Sequence, residues 1–118
     1  MTDTKPPTRS RLPHHRLVAY AVATELLLAV RAAEIRDPKL RDQALRAAKS
    51  ACLNTAEAAG RVSPADKARV YAIARGECLD AAAAVEIAAL ADDTTEEAAD
   101  AVIARADRLY ALLTGLIR

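Results

Sequence analysis

The sequence predicts an all-α fold, an antiparallel up-down-up-down four-helix bundle, on three observations. Alanine is the commonest of the 118 residues, hydrophobic residues make up 53%, and Trp and Phe are absent. Such a composition lets helices approach closely but offers little bulk to fill the space between two sheets. Only three glycines and five prolines are present, so turns are few. Between the turns, apolar residues recur at i, i+3 and i+4, the period of a helix with one buried face. One domain is expected at this length. Residues 14–118 form the bundle, and residues 1–13 form a flexible basic tail in which Pro6, Pro7 and Pro13 oppose helix.

The first helix is expected from His14 to about Ile35. Its middle, LVAYAVATELLLAV at 17–30, is apolar on nearly every side, with only Thr24 and Glu25 breaking the run. A helix of that kind needs cover on more than one face, which makes Leu27 and Leu28 candidate oligomer contacts. The stretch is too short to span a bilayer and Glu25 interrupts it. The polar start of the chain lacks the apolar core of a secretory signal, so a cytoplasmic protein is expected.

Asp37-Pro38 caps and starts the second helix, because Pro fits the first turn and Asp accepts from a free backbone N–H. That helix runs to about Ala59, with Gly60 as its C-terminal cap. Ser63-Pro64-Ala65-Asp66 starts the third by the same logic, Asp66 also favouring the helix dipole. The third helix reaches about Leu90 and carries the stripe Tyr71, Ala74, Cys78, Ala81, Val85 and Ala88. Gly76 in its middle costs about 1 kcal/mol relative to Ala, which implies that another backbone comes close. Asp92 to Glu97 reads as a turn and a capping box, Thr94 with Glu97. The fourth helix continues to the C-terminus with Val102, Ala106, Leu109, Leu113 and Leu116 on one face.

Formal net charge is +1, but its distribution is uneven. Residues 31–75 hold ten Lys or Arg against five acids, whereas residues 76–104 hold eight acids and no Lys or Arg. Bundle metal sites need Glu-x-x-His pairs; the only histidines, His14 and His15, are adjacent at a helix start. Cys52 and Cys78 have no His predicted nearby, and no glycine-rich phosphate loop or zinc-spaced cluster occurs. If the two cysteines lie on helices joined near residue 62, they are offset by about 9 Å along the axis, beyond disulfide reach. The reading is a protein that is not an enzyme, with no cofactor and no metal.

The run Gln43, Ser50, Asn54, Ala56, Glu57, Gly60, Arg61 resembles a known motif, and Asp66-Lys67-Ala68-Arg69 and Ile73-Ala74-Arg75-Gly76 fit the same pattern. The motif is that of small bacterial four-helix bundle proteins found as reading frames inside intervening sequences of 23S ribosomal RNA genes. These are similar to the accessory protein of diversity-generating retroelements, which partners a reverse transcriptase and binds nucleic acid. The resemblance covers roughly Leu17 to Arg118. It implies a ring-forming bundle, a homopentamer, acting as a nucleic-acid-binding scaffold or adaptor for RNA, DNA or a nucleic-acid enzyme. The alternative is a purely structural assembly module. The chain departs from the family pattern at Ala58, Glu77 and Asp80.

Three groups of polar residues follow as candidates. Arg36, Lys39, Arg46, Lys49 and Arg61 are the candidate nucleic-acid contacts, since Lys39, Arg46 and Lys49 recur at helical spacing. Asn54, Glu57, Arg69 and Arg75 are expected to form a polar clamp between the second and third helices or across a subunit boundary, fixing register among alanine faces. Arg46 and Glu77 lie equally far from the intervening turn and are expected to form an ion pair.

Overall fold

The computed structural model of the chain describes residues 12–118. Among them are four α-helices and no strand: α1 Val18–Ala32, α2 Pro38–Gly60, α3 Pro64–Leu90 and α4 Glu96–Ile117. The expected tail lies, for residues 1–11, outside the described residues, and Arg9 and Arg11 with it. α1 and α3 each pack against both α2 and α4, which sets α1 and α3 on diagonal corners of the bundle.

The helix starts follow local chemistry closely. The Asp37 side chain accepts from Leu40 N–H at 2.9 Å and Ser63 Oγ accepts from Asp66 N–H at 3.1 Å, each followed by Pro at the first helical position. The expected capping box is shifted by one residue. Thr95, not Thr94, caps α4, accepting from Ala98 N–H at 3.0 Å. Thr94 instead donates to the Ala33 carbonyl at 2.6 Å, so a contact across the bundle outcompetes the local one. The first helix also begins later than expected. Pro13 starts a four-residue 3-10 turn, Pro13–Arg16, and Leu17 is extended at φ −92°, so α1 starts at Val18. Gly60 is the last residue of α2 rather than a left-handed cap, and Arg61 after it is extended at φ −73°.

The core is mostly alanine, with Leu26, Ile35, Leu109 and Leu113 as its largest fully buried side chains. Small side chains bring helix backbones near one another, which is why short polar groups reach across. Cys52 Sγ donates to the Ala23 carbonyl at 3.2 Å and Cys78 Sγ to the Ala106 carbonyl at 3.3 Å. Lys67 Nζ donates to the Ala59 carbonyl at 3.2 Å, satisfying an orphan acceptor at the end of α2. The other end of the bundle, where α1 meets α2 and α3 meets α4, is tied more heavily. Arg36 N–H donates to the Asp93 carbonyl at 2.9 Å, its guanidinium donates to the Asp92 carbonyl, and Arg41 donates to the Ile35 carbonyl at 3.2 Å. Glu34 and Asp92 take left-handed backbone angles, φ 46° and 61°, in these two connections.

Candidate nucleic-acid interface

Lys39, Arg46 and Lys49 are all exposed on the outer face of α2, in one row that also contains Asp42 and Leu53. None of the three has an ion-pair partner among the described residues. An exposed ammonium or guanidinium with no carboxylate on it remains available to a phosphate. Arg36 and Arg61 stand apart from this row. Each sits beyond one end of α2, which at about 1.5 Å per residue puts them more than about 30 Å apart. Arg36 is committed to the Asp92 carbonyl, and Arg61 to Asp66 at 3.4 Å.

The expected Arg46–Glu77 ion pair does not form. Both residues line one groove between α2 and α3, of about 400 Å³, together with Leu40, Gln43, Asp80 and Ile87. Glu77 instead accepts from Ser50 Oγ at 3.0 Å. Glu77 meets Ser50, one helical turn nearer the α2–α3 connection than Arg46, so equal distance from the turn did not select its partner. Ser50 points at α3; Arg46 points outward.

The polar clamp is likewise not assembled within the chain. Asn54 donates to the Ser50 carbonyl at 2.9 Å and to Ser50 Oγ at 3.0 Å, so it joins the Ser50–Glu77 contact rather than Arg69. Thr55, fully buried beside it, donates to the Ala51 carbonyl at 2.7 Å within its own helix. Arg69 pairs with Asp66 at 2.9 Å, one turn earlier in α3. Arg75 turns to α4, donating to Thr114 Oγ1 at 3.1 Å with its guanidinium 5.2 Å from the Tyr110 ring centre. Glu57 is exposed and shares none of these contacts. Sequence reasoning flagged Asn54 by its residue type and quoted Ser50 only within the family motif, without the link that its hydroxyl makes between the two helices.

Of the expected oligomer contacts, Leu27 is half-buried against its own core, whereas Leu28 is 51% exposed. A larger apolar surface lies elsewhere, on α3, where Ile73, Leu79, Ile87 and Leu90 are exposed. Its signal in the sequence is that the apolar residues of 72–90 fall on every side of the helix.

Neither thiol is poised for chemistry. Burial pushes Cys52 and Cys78 each from 9.0 up to about 11, leaving both protonated near neutrality. They face α1 and α4 respectively and are unbridged. Among the described residues no group of three or more His, Cys, Asp or Glu is arranged to hold a metal ion. Within the same residues, no helix is long and apolar enough to cross a membrane.

Compared with known proteins, the chain matches the family described as 23S rRNA-intervening sequence protein over residues 17–115. No curated protein matches it.

Proposed function

The chain belongs to the 23S rRNA-intervening sequence protein family, and on that premise we propose that it is a non-enzymatic scaffold that assembles with copies of itself and binds nucleic acid. In this reading the four helices alternate up and down, antiparallel, and the bundles close into a ring, with five copies as the expected number. The protein works in the cytoplasm alongside RNA, DNA or an enzyme acting on them, such as a reverse transcriptase.

The observation that carries the reading is the unpaired row Lys39, Arg46 and Lys49 on α2. One such row is a weak contact. Repeated once per subunit on one assembly, it becomes a footprint with much higher effective concentration for a single polymer. The face offers no aromatic platform, since Tyr71 is buried and Tyr110 packs under Arg75. Recognition therefore runs through phosphates, is weakly selective for sequence and falls steeply with salt.

A fluorescence titration of labelled RNA and DNA against the full chain tests this at about 50 and 200 mM salt. Binding at low salt, a loss of at least about tenfold at high salt, and abolition by Lys39→Glu with Lys49→Glu are expected. Those reversals leave helicity and assembly mass unchanged. No binding of either polymer at low salt overturns the nucleic-acid role. The exposed apolar face of α3 would then favour the second reading, an assembly module that contacts protein alone.

A further inference from the structure

The groove between α2 and α3 has two unlike ends. At one, Glu77 takes the Ser50 hydroxyl on Oε2, and its other oxygen has no donor among the described residues. Asp80 on the same wall, and Gln43 and Arg46 on the α2 wall, are exposed. None of these three makes a side-chain hydrogen bond or ion pair among the described residues. At the other end Leu40 and Ile87 stand on the two walls. Each lies ten residues beyond the Ser50–Glu77 contact, about 15 Å along its helix. Between the ends the floor is alanine, with Ala47 and Ala84 buried.

These groups narrow what can enter. Two carboxylates repel a phosphate, so the anionic part of a ligand stays outside. A lone cation would meet Arg46 and would leave the Leu40–Ile87 end unfilled. The remaining fit is a neutral, flat group with apolar faces and N–H donors along one edge, because ionised carboxylates only accept. A nucleobase has that form. Guanine alone among the bases carries adjacent N1–H and N2–H donors, which match the two oxygens of one carboxylate, and an O6 acceptor, which matches an amide N–H. We propose that the α2–α3 groove holds one guanine base of a single-stranded nucleic acid, with Asp80 accepting from N1–H and N2–H and Gln43 donating to O6. Only an unpaired base presents that edge. The inference rests on the nucleic-acid reading above and adds a base to its phosphate contacts.

Arg46 joins the groove to the outer face of α2. It lines the one and belongs to the row of Lys39 and Lys49 on the other. Those two lysines flank it at about 10 and 5 Å along the helix. A strand laid on the row therefore keeps its phosphates on the basic side chains while one base turns inward past Arg46. The cavity, about 400 Å³, is in the range of small-ligand sites. Leu40 and Ile87 cover the base with aliphatic surface in place of an aromatic ring. Each subunit reads a single base and leaves its neighbours unread, so selectivity over a long strand stays weak.

Fluorescence anisotropy on the full chain at about 50 mM salt tests the proposal. The probes are a labelled uridine oligomer and the same oligomer with one central guanosine, adenosine, cytidine or inosine. Guanosine tightens binding about tenfold over uridine, and inosine, which lacks the N2 amine, by less. Asp80→Asn turns an acceptor into a donor and removes the preference, read as the ratio of the guanosine and uridine affinities. Gln43→Ala reduces the same ratio. Both side chains are exposed, so helical circular dichroism is unchanged in either variant. Equal affinity for all the oligomers, or a preference for another base, overturns the pocket and leaves the phosphate row standing. So does a guanosine preference that Asp80→Asn leaves intact. No binding of any oligomer overturns both the pocket and the nucleic-acid reading.

Discussion

Ser50 is a small residue in a consequential place: its hydroxyl donates to Glu77 of α3 and receives Asn54 from its own helix. Replacing it by Ala leaves a half-buried carboxylate and an amide each short of a partner. Ser50→Ala is expected to lower stability by about 1 kcal/mol in urea denaturation, and with Glu77→Ala the two losses should overlap rather than add. Arg46→Ala, outward-facing and unpaired, should stay within about 0.5 kcal/mol of wild type. The thiols give a second test at this scale. Their pKa values in the fold, about 11, exceed the ordinary 9.0, because burial opposes the thiolate. The unfolded chain therefore loses these protons first as pH rises. Stability from this source is complete below pH 9.0 and declines toward about 11, and burial raises Tyr71 in the same direction. Melts recorded across that window should show it, with Cys52→Ala and Cys78→Ala flattening the decline.

Among the helices, what the sequence made legible is what neighbours in the chain decide. Asp37-Pro38 and Ser63-Pro64 act as caps because the side chain that accepts lies three residues from the N–H that donates. Thr94 and Thr95 could not be ordered that way, since the choice depends on Ala33, sixty-one residues away. Thr95→Ala should cost about 1 kcal/mol as a lost cap, whereas the loss in Thr94→Ala comes from the hydrogen bond to the Ala33 carbonyl and should add to that of Thr95→Ala in urea denaturation. Gly76 behaves differently from its sequence reading, which expected a close backbone. Its surroundings in the subunit are open, so Gly76→Ala should raise subunit stability by about 0.5–1 kcal/mol. Thermal unfolding is the measurement.

For the molecule as a whole, composition, apolar spacing and the few capping signals together were enough to indicate four helices. They were not enough to say which of them lacks cover. The first helix looked apolar all round, yet α1 lies against α2, α4 and the turn before it, and most of its large side chains are used there. α3 is longer and keeps exposed Leu and Ile along its outer side. Hydropathy around one helix cannot reveal which corner that helix will take. The basic row was legible because exposure of Lys and Arg is the default; its lack of acidic partners was not. The basic row and the exposed Leu28 stand on different helices, and this leads to a joint prediction. Lys39→Glu with Lys49→Glu should abolish nucleic-acid binding and spare assembly. Leu28→Glu should abolish assembly and weaken binding by at least about tenfold through lost multivalency, with each subunit's phosphate contacts intact.

The unequal tying of the two bundle ends sets where the chain opens first. At one end Arg36, Arg41 and Thr94 hold both connections by hydrogen bonds to backbone carbonyls. At the other, the α2–α3 turn relies on Lys67 and the exposed pairs of Asp66 with Arg61 and Arg69, and exposed pairs contribute little. Amide exchange should therefore form a gradient: slowest where α1, α2 and the start of α4 converge, fastest through Gly60–Ser63 and the last turn of α4. Helices anchored at one end fray from the other like the leaves of a fan. Thermal fluctuation is thereby steered away from Arg36 and Thr94 and toward the far rim of the bundle.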